Sequence, residues 1–62
     1  MDRELTFEEL YVGMIVKTKS YIGTIILLNT HTCIHVKNDN GWVEVFNLDY
    51  TEDKLYANNV HM

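Results

Sequence analysis

His31, Cys33 and His35 occupy every second position of one short stretch, and imidazole and thiolate are the commonest metal ligands and nucleophile partners. In a strand all three side chains would share a face, with neighbours roughly 6.6 to 7 Å apart. Tetrahedral zinc holds its ligands about 2.0–2.3 Å from one point, and structural sites take paired ligands from turns, where the chain can curve around the metal. No zinc-type spacing surrounds these residues, and Glu44 or an aspartate from another strand would have to complete the set. A nucleophilic Cys33 served by His35 would also need an orienting group and an oxyanion site in a pocket, which 62 residues have too little mass to build. The acid pairs Glu8–Glu9 and Glu52–Asp53 are sequence neighbours whose side chains point apart. Gly13, Gly23 and Gly41 stand singly, so no phosphate-cradling loop is present. The expectation is a protein without catalytic residues, metal or cofactor.

Whatever positions these side chains must be a single small domain. A chain of 62 residues buries only about 60% of the surface its unfolded form exposes. With one cysteine, Cys33, no intramolecular disulfide can reinforce it, a count that suits a reducing cytoplasm. The amino terminus, Met1-Asp2-Arg3-Glu4, lacks the apolar stretch of a signal peptide. The longest apolar run, Ile25 to Leu28, is far short of the roughly 20 residues of a membrane span. A soluble, cytoplasmic protein with no membrane contact is expected. Nine acidic residues against five basic ones give a net charge of −4. That balance removes the sequence-independent attraction to phosphate on which most nucleic-acid binders rely, so nucleic acid is a disfavoured partner.

Thr6 and Glu9 have capping-box spacing ahead of Leu10, enough for a short helical turn. From Tyr11 onward, β-branched and aromatic residues alternate with Gly, Asn, Asp, Ser and Thr, the pattern of strands and turns. Strands are expected from Tyr11 to Lys19, Gly23 to Leu28, His31 to Lys37, Trp42 to Phe46 and Lys54 to Ala57. The clearest turn is Asn38-Asp39-Asn40-Gly41, because Asn and Gly tolerate the positive φ of tight hairpins. The domain then divides into an N-terminal segment (1–10), a β-unit (11–57) and a frayed tail (58–62). Five short strands cannot make a sandwich of ordinary size, but they can close into a small antiparallel barrel without exposed edges.

Val12-Gly13-x-x-Val16, Gly23-Thr24-Ile25, Ile34-x-Val36 before an Asn/Asp/Gly turn, Val43-x-Val45 and Leu48 together resemble the small SH3-like barrels of the KOW and Tudor type. The resemblance covers roughly Val12 to Leu55 and implies an all-β, five-stranded SH3-like barrel. Met14 stands where these barrels often carry a polar residue. The basic residues that nucleic-acid-binding members place near the glycine turn are mostly missing, and Lys17 and Lys19 alone cluster.

Strand alternation sorts the faces. Ile34 and Val36 point inward, leaving Cys33, His35 and Lys37 outside. In the fourth strand Glu44 is costly to bury unpaired, so Val43 and Val45 are expected inside, with Trp42, Glu44 and Phe46 outside; a bulge next to Gly41 would reverse this parity. The expected core is Val16, Ile25, Ile34, Val36, Val43 and Val45. The second strand is apolar on both faces, Ile25 and Leu27 alternating with Ile26 and Leu28. Either the segment with Leu5, Phe7 and Leu10 covers its second face or another molecule does. The candidate partner-binding residues are therefore Trp42, Phe46, Ile26 and Leu28, with Glu44 and His35 beside them.

A protein-interaction module follows as the leading expectation, its partner another protein or a second copy docking on the apolar face. A small domain without chemistry resembles in type the accessory proteins of bacteriophages and other mobile elements, which bind and inhibit or redirect a host protein. The alternative, implied by the KOW resemblance, is a nucleic-acid or ribonucleoprotein accessory domain in which Tyr21, Tyr50 and Tyr56 stack on bases.

Overall fold

The computed structural model describes residues 3–58. Its elements are a 3-10 turn at Phe7–Glu9 and five strands: β1 (Ile15–Lys17), β2 (Ile22–Leu28), β3 (Ile34–Lys37), β4 (Val43–Phe46) and β5 (Tyr56–Ala57). All pairings are antiparallel, and the strands form one sheet in the order β4-β3-β2-β1-β5. The protein is thus all-β, and the strands lie where the alternating pattern puts them. β1, β3, β4 and β5 are shorter than expected, beginning only at Ile15, Ile34, Val43 and Tyr56, while β2 starts one residue earlier, at Ile22. β4 and β5 are the two ends of the ladder, so the sheet is open and the expected closure into a barrel is not made by strand pairing. Of the expected frayed tail, all but Asn58 lies outside the described residues.

Local chemistry sets the turns. Between β1 and β2 the Thr18 hydroxyl accepts hydrogen bonds from the Ser20 and Tyr21 amides (3.1 and 3.0 Å) while the Thr18 amide donates to the Tyr21 carbonyl (2.8 Å). That satisfies the buried Thr18 in place. The β3–β4 hairpin closes on Asn38 and Trp42, the Asn38 amide donating to the Trp42 carbonyl at 2.9 Å and the Gly41 amide to the Asn38 carbonyl at 3.1 Å. Asp39, Asn40 and Gly41 form the loop, and Gly41 has φ +84°, the left-handed residue that a three-residue hairpin loop requires. The Asn38 side chain accepts from the Asn40 and Trp42 amides at 2.9 and 3.0 Å. At the amino end the Glu9 carboxylate accepts from the Thr6 amide (2.8 Å) and hydroxyl (3.2 Å) and pairs with Arg3 at 2.7 Å. The Thr6 amide first, and then Arg3, hold the Glu9 carboxyl below its ordinary value of 4.5.

One face of the sheet carries the core. Val16, Ile25, Ile34, Val36 and Phe46 are buried there, and Leu5, Leu10 and Leu55 join the same cluster. The N-terminal segment therefore covers the inner face, not the second apolar face of β2. It is tied down by backbone bonds from the Leu5 amide to the Leu55 carbonyl (2.8 Å) and from the Ala57 amide to the Arg3 carbonyl (2.7 Å).

Four of the six expected core residues are buried, and two are not. Val43 and Val45 are 42% and 53% exposed, whereas Phe46, expected outside, is 6% exposed. The register explains the reversal. Ile34 pairs with Phe46 and Val36 with Glu44, while His35 pairs with Val45 and Lys37 with Val43, and cross-strand partners share a face. Leu28, also expected in the contact patch, is half-buried against the core. A shift of register between Ile25 and Leu27 leaves Ile26 as an extra residue. The bulge turns Leu27 outward opposite His35 and Leu28 inward opposite Ile34. The two-sided apolar character of β2 thus produces exposed Ile26 and Leu27 side by side.

Candidate partner-binding face

The pairing registers assign the outer surface residue by residue. One row crosses the sheet as Val45, His35 and Leu27; the next as Val43, Lys37, Thr24 and Ile15; the third as Ile22, Lys17 and Tyr56. Ile15, Ile22, Ile26, Leu27, Val43 and Val45 are all exposed. Directly opposed side chains in such rows stand about 4.5–5.5 Å apart at Cβ, so the exposed aliphatic groups share one face, with His35, Lys37, Thr24 and Lys17 standing between them from strand to strand.

Against this surface the sequence-derived candidates separate. Ile26 lies on it, and His35 is half-buried in its first row. Phe46 and Leu28 lie on the opposite, packed face. Trp42 stands in solvent, 70% exposed, but at the hairpin end beyond β4. By pairing it belongs with the inner parity, outside the apolar rows. Glu44 shares that inner parity without being desolvated, because it lies at the sheet margin, is exposed, and accepts a 2.7 Å hydrogen bond from the Tyr21 hydroxyl. Sequence reasoning missed Val43, Val45, Ile15, Ile22 and Leu27, five of the six exposed aliphatic residues of the outer face. The signal that could have found Val43 and Val45 is loop length: a three-residue loop closed by Asn38 and Trp42 places Val36 opposite Glu44, not opposite Val43.

The Tyr21–Glu44 bond gives the margin a measurable signature. Burial first, then the hydrogen bond and the charge of Glu44, push the Tyr21 phenol well above its ordinary value of 10.0. A group whose folded value is raised contributes stability that is fully present below its unfolded value and is lost as pH rises through the folded one. In an ultraviolet phenolate titration, Tyr21→Phe is therefore expected to remove the ionisation step at the highest pH. Loss of an earlier step would show that the bond does not persist in solution.

His31, Cys33 and His35 do not come together at one point. Cys33 Sγ and His35 Nε2 are 3.5 Å apart, but His31 lies in the preceding turn, packed edge-on against Phe7 at 4.3 Å between ring centres. Its ring nitrogens stand 3.9 Å from Glu8 and 4.0 Å from Asp49, which links the N-terminal segment to the β4–β5 connection. No group of three or more potential metal ligands gathers among the described residues. No helix among them is long and apolar enough to cross a membrane.

Compared with protein-family models, with curated proteins and with solved structures, the chain matches none.

Proposed function

We propose that this protein is a non-enzymatic interaction module that binds another protein through the outer face of its sheet. The observation that carries this reading is the set of six exposed aliphatic side chains, Ile15, Ile22, Ile26, Leu27, Val43 and Val45, gathered on one face while a separate cluster forms the core. Apolar groups left together on a folded surface mark contact sites, and here no described segment covers them. The architecture is read as SH3-like. Support comes from the strand order, in which the last strand returns beside the first.

The test is capture of partners from native host extract by the tagged protein and by the double variant Leu27→Ser/Val45→Ser, whose folding is checked by circular dichroism. The wild type is expected to retain a protein that the variant loses, and to retain it when salt is raised from about 0.15 to 1 M, because apolar contacts are little screened. Retention of nucleic acid that is released by salt would support the KOW-type alternative instead. Equal capture by both proteins would remove the outer face from the reading.

A further inference from the structure

The charges of this acidic chain are segregated. Of its nine carboxylates, Asp2 lies outside the described residues, and Glu4, Glu8 and Glu9 belong to the N-terminal segment. Asp39 is at the β3–β4 hairpin tip, Glu44 is on the inner parity of β4 beside Tyr21, and Asp49, Glu52 and Asp53 lie in the β4–β5 connection. None of the described carboxylates stands in the three outer rows. Those rows hold Lys37 and Lys17 instead. Lys37 is exposed between Val43 and Thr24 and forms no ion pair with a described residue, whereas Arg3 and Lys54 are paired with Glu9 and Glu4. A protein of net charge −4 thus presents, at Lys37, a positive charge among the exposed aliphatic groups of its outer face.

We propose that this face docks an acidic amphipathic helix of a partner protein, a proposal that rests on the interaction reading above and adds the chemistry of the partner. Shape agrees with charge. The row Val45–His35–Leu27 spans three strands, two spacings of about 4.8 Å, which matches a helix about 10–12 Å across with side chains. Apolar side chains at i, i+3, i+4 and i+7 would lie over the valines, Leu27 and Ile15, and flanking glutamates would reach Lys37. A second copy fits less well, because a two-fold contact through the same face brings the Lys37 of both copies into one interface whose rows hold no described carboxylate. Nucleic acid fits less well too: the rows are mostly aliphatic, with rings only at the half-buried His35 and at Tyr56, whereas single strands are held by stacking on successive aromatic rings along a basic groove.

The experiment titrates the whole isotope-labelled protein with two synthetic helical peptides. They share one leucine stripe and differ only in their flanking positions, all Glu in one and all Lys in the other. The Glu peptide is expected to shift the amides of Ile15, Leu27, Lys37, Val43 and Val45 and to bind about tenfold more tightly than the Lys peptide. Lys37→Glu should abolish or invert that preference without altering the fold. Leu27→Ser/Val45→Ser should weaken both peptides. Equal binding of the two peptides at this face would overturn the acidic-partner proposal and leave the interaction reading standing. Absence of shifts in the outer rows with either peptide would overturn both. Tighter binding of oligo(dT) than of the Glu peptide, lost in Lys37→Glu, would overturn the proposal in favour of nucleic acid. Dimerisation through these rows that the Glu peptide fails to displace, seen by sedimentation, would overturn it in favour of a second copy.

Discussion

Phe46→Ala is expected to remove a large share of this domain's stability, while Val45→Ala one residue away leaves it nearly unchanged. Phe46 is packed in the core opposite Ile34, whereas Val45 faces solvent from the outer row. Truncating a buried phenylalanine costs about 3–5 kcal/mol through lost transfer energy and the cavity left behind. At roughly 0.05–0.15 kcal/mol per residue, a domain of this length holds only about 3–9 kcal/mol in all. Val45→Ala removes two methyl groups from a half-solvated surface and should cost about 1 kcal/mol or less. Urea unfolding followed by circular dichroism measures both. If Val45→Ala lost more stability than Phe46→Ala, the β3–β4 register described above would be wrong.

Gly23→Ala should also destabilise the domain, by steric overlap instead of a cavity. A Cβ at Gly23 would lie 2.6 Å from Val36 Cγ1, 2.9 Å from the Lys37 carbonyl oxygen and 3.2 Å from Tyr21 Cε2. The valine methyl can rotate away, but the carbonyl belongs to the backbone of β3 and moves only if the pairing of β2 with β3 moves. Overpacking of this kind costs about 1–3 kcal/mol, and a backbone contact puts the substitution at the upper end. Combining it with Val36→Ala should restore only part of the loss, since the carbonyl contact stays. A double-mutant cycle built from thermal unfolding reads that coupling. Additive losses with no coupling would show that Val36 and position 23 do not meet.

Much of the fold was legible because local chemistry and strand periodicity act over a few residues. The Asn38–Gly41 turn, the Thr6–Glu9 turn, the five strand positions and the inward placement of Val16, Ile25, Ile34 and Val36 all follow from residue type and alternation, and the structure has them. The candidate face was less legible. Glu44 was a poor guide to the parity of β4, because a carboxylate on the inner parity escapes desolvation at a sheet margin and is bonded there by Tyr21, a residue 23 positions away.

The sequence by itself determined an all-β chain, its turn positions and most of its core, since those rest on contacts between near neighbours and on a period of two. Tertiary structure alone decided which side of β4 is buried, where β2 gains its extra residue and which sheet face the N-terminal segment covers. The physical reason is the same in all three cases. A single inserted residue, in the Gly41 loop or at Ile26, exchanges the two faces of everything beyond it. Both faces of β2 and β4 carry large apolar side chains, so local preference is nearly indifferent to the choice. Packing of Phe46, Leu5, Leu10 and Leu55 into one shared core selects the arrangement, and the aliphatic residues left over become the outer face.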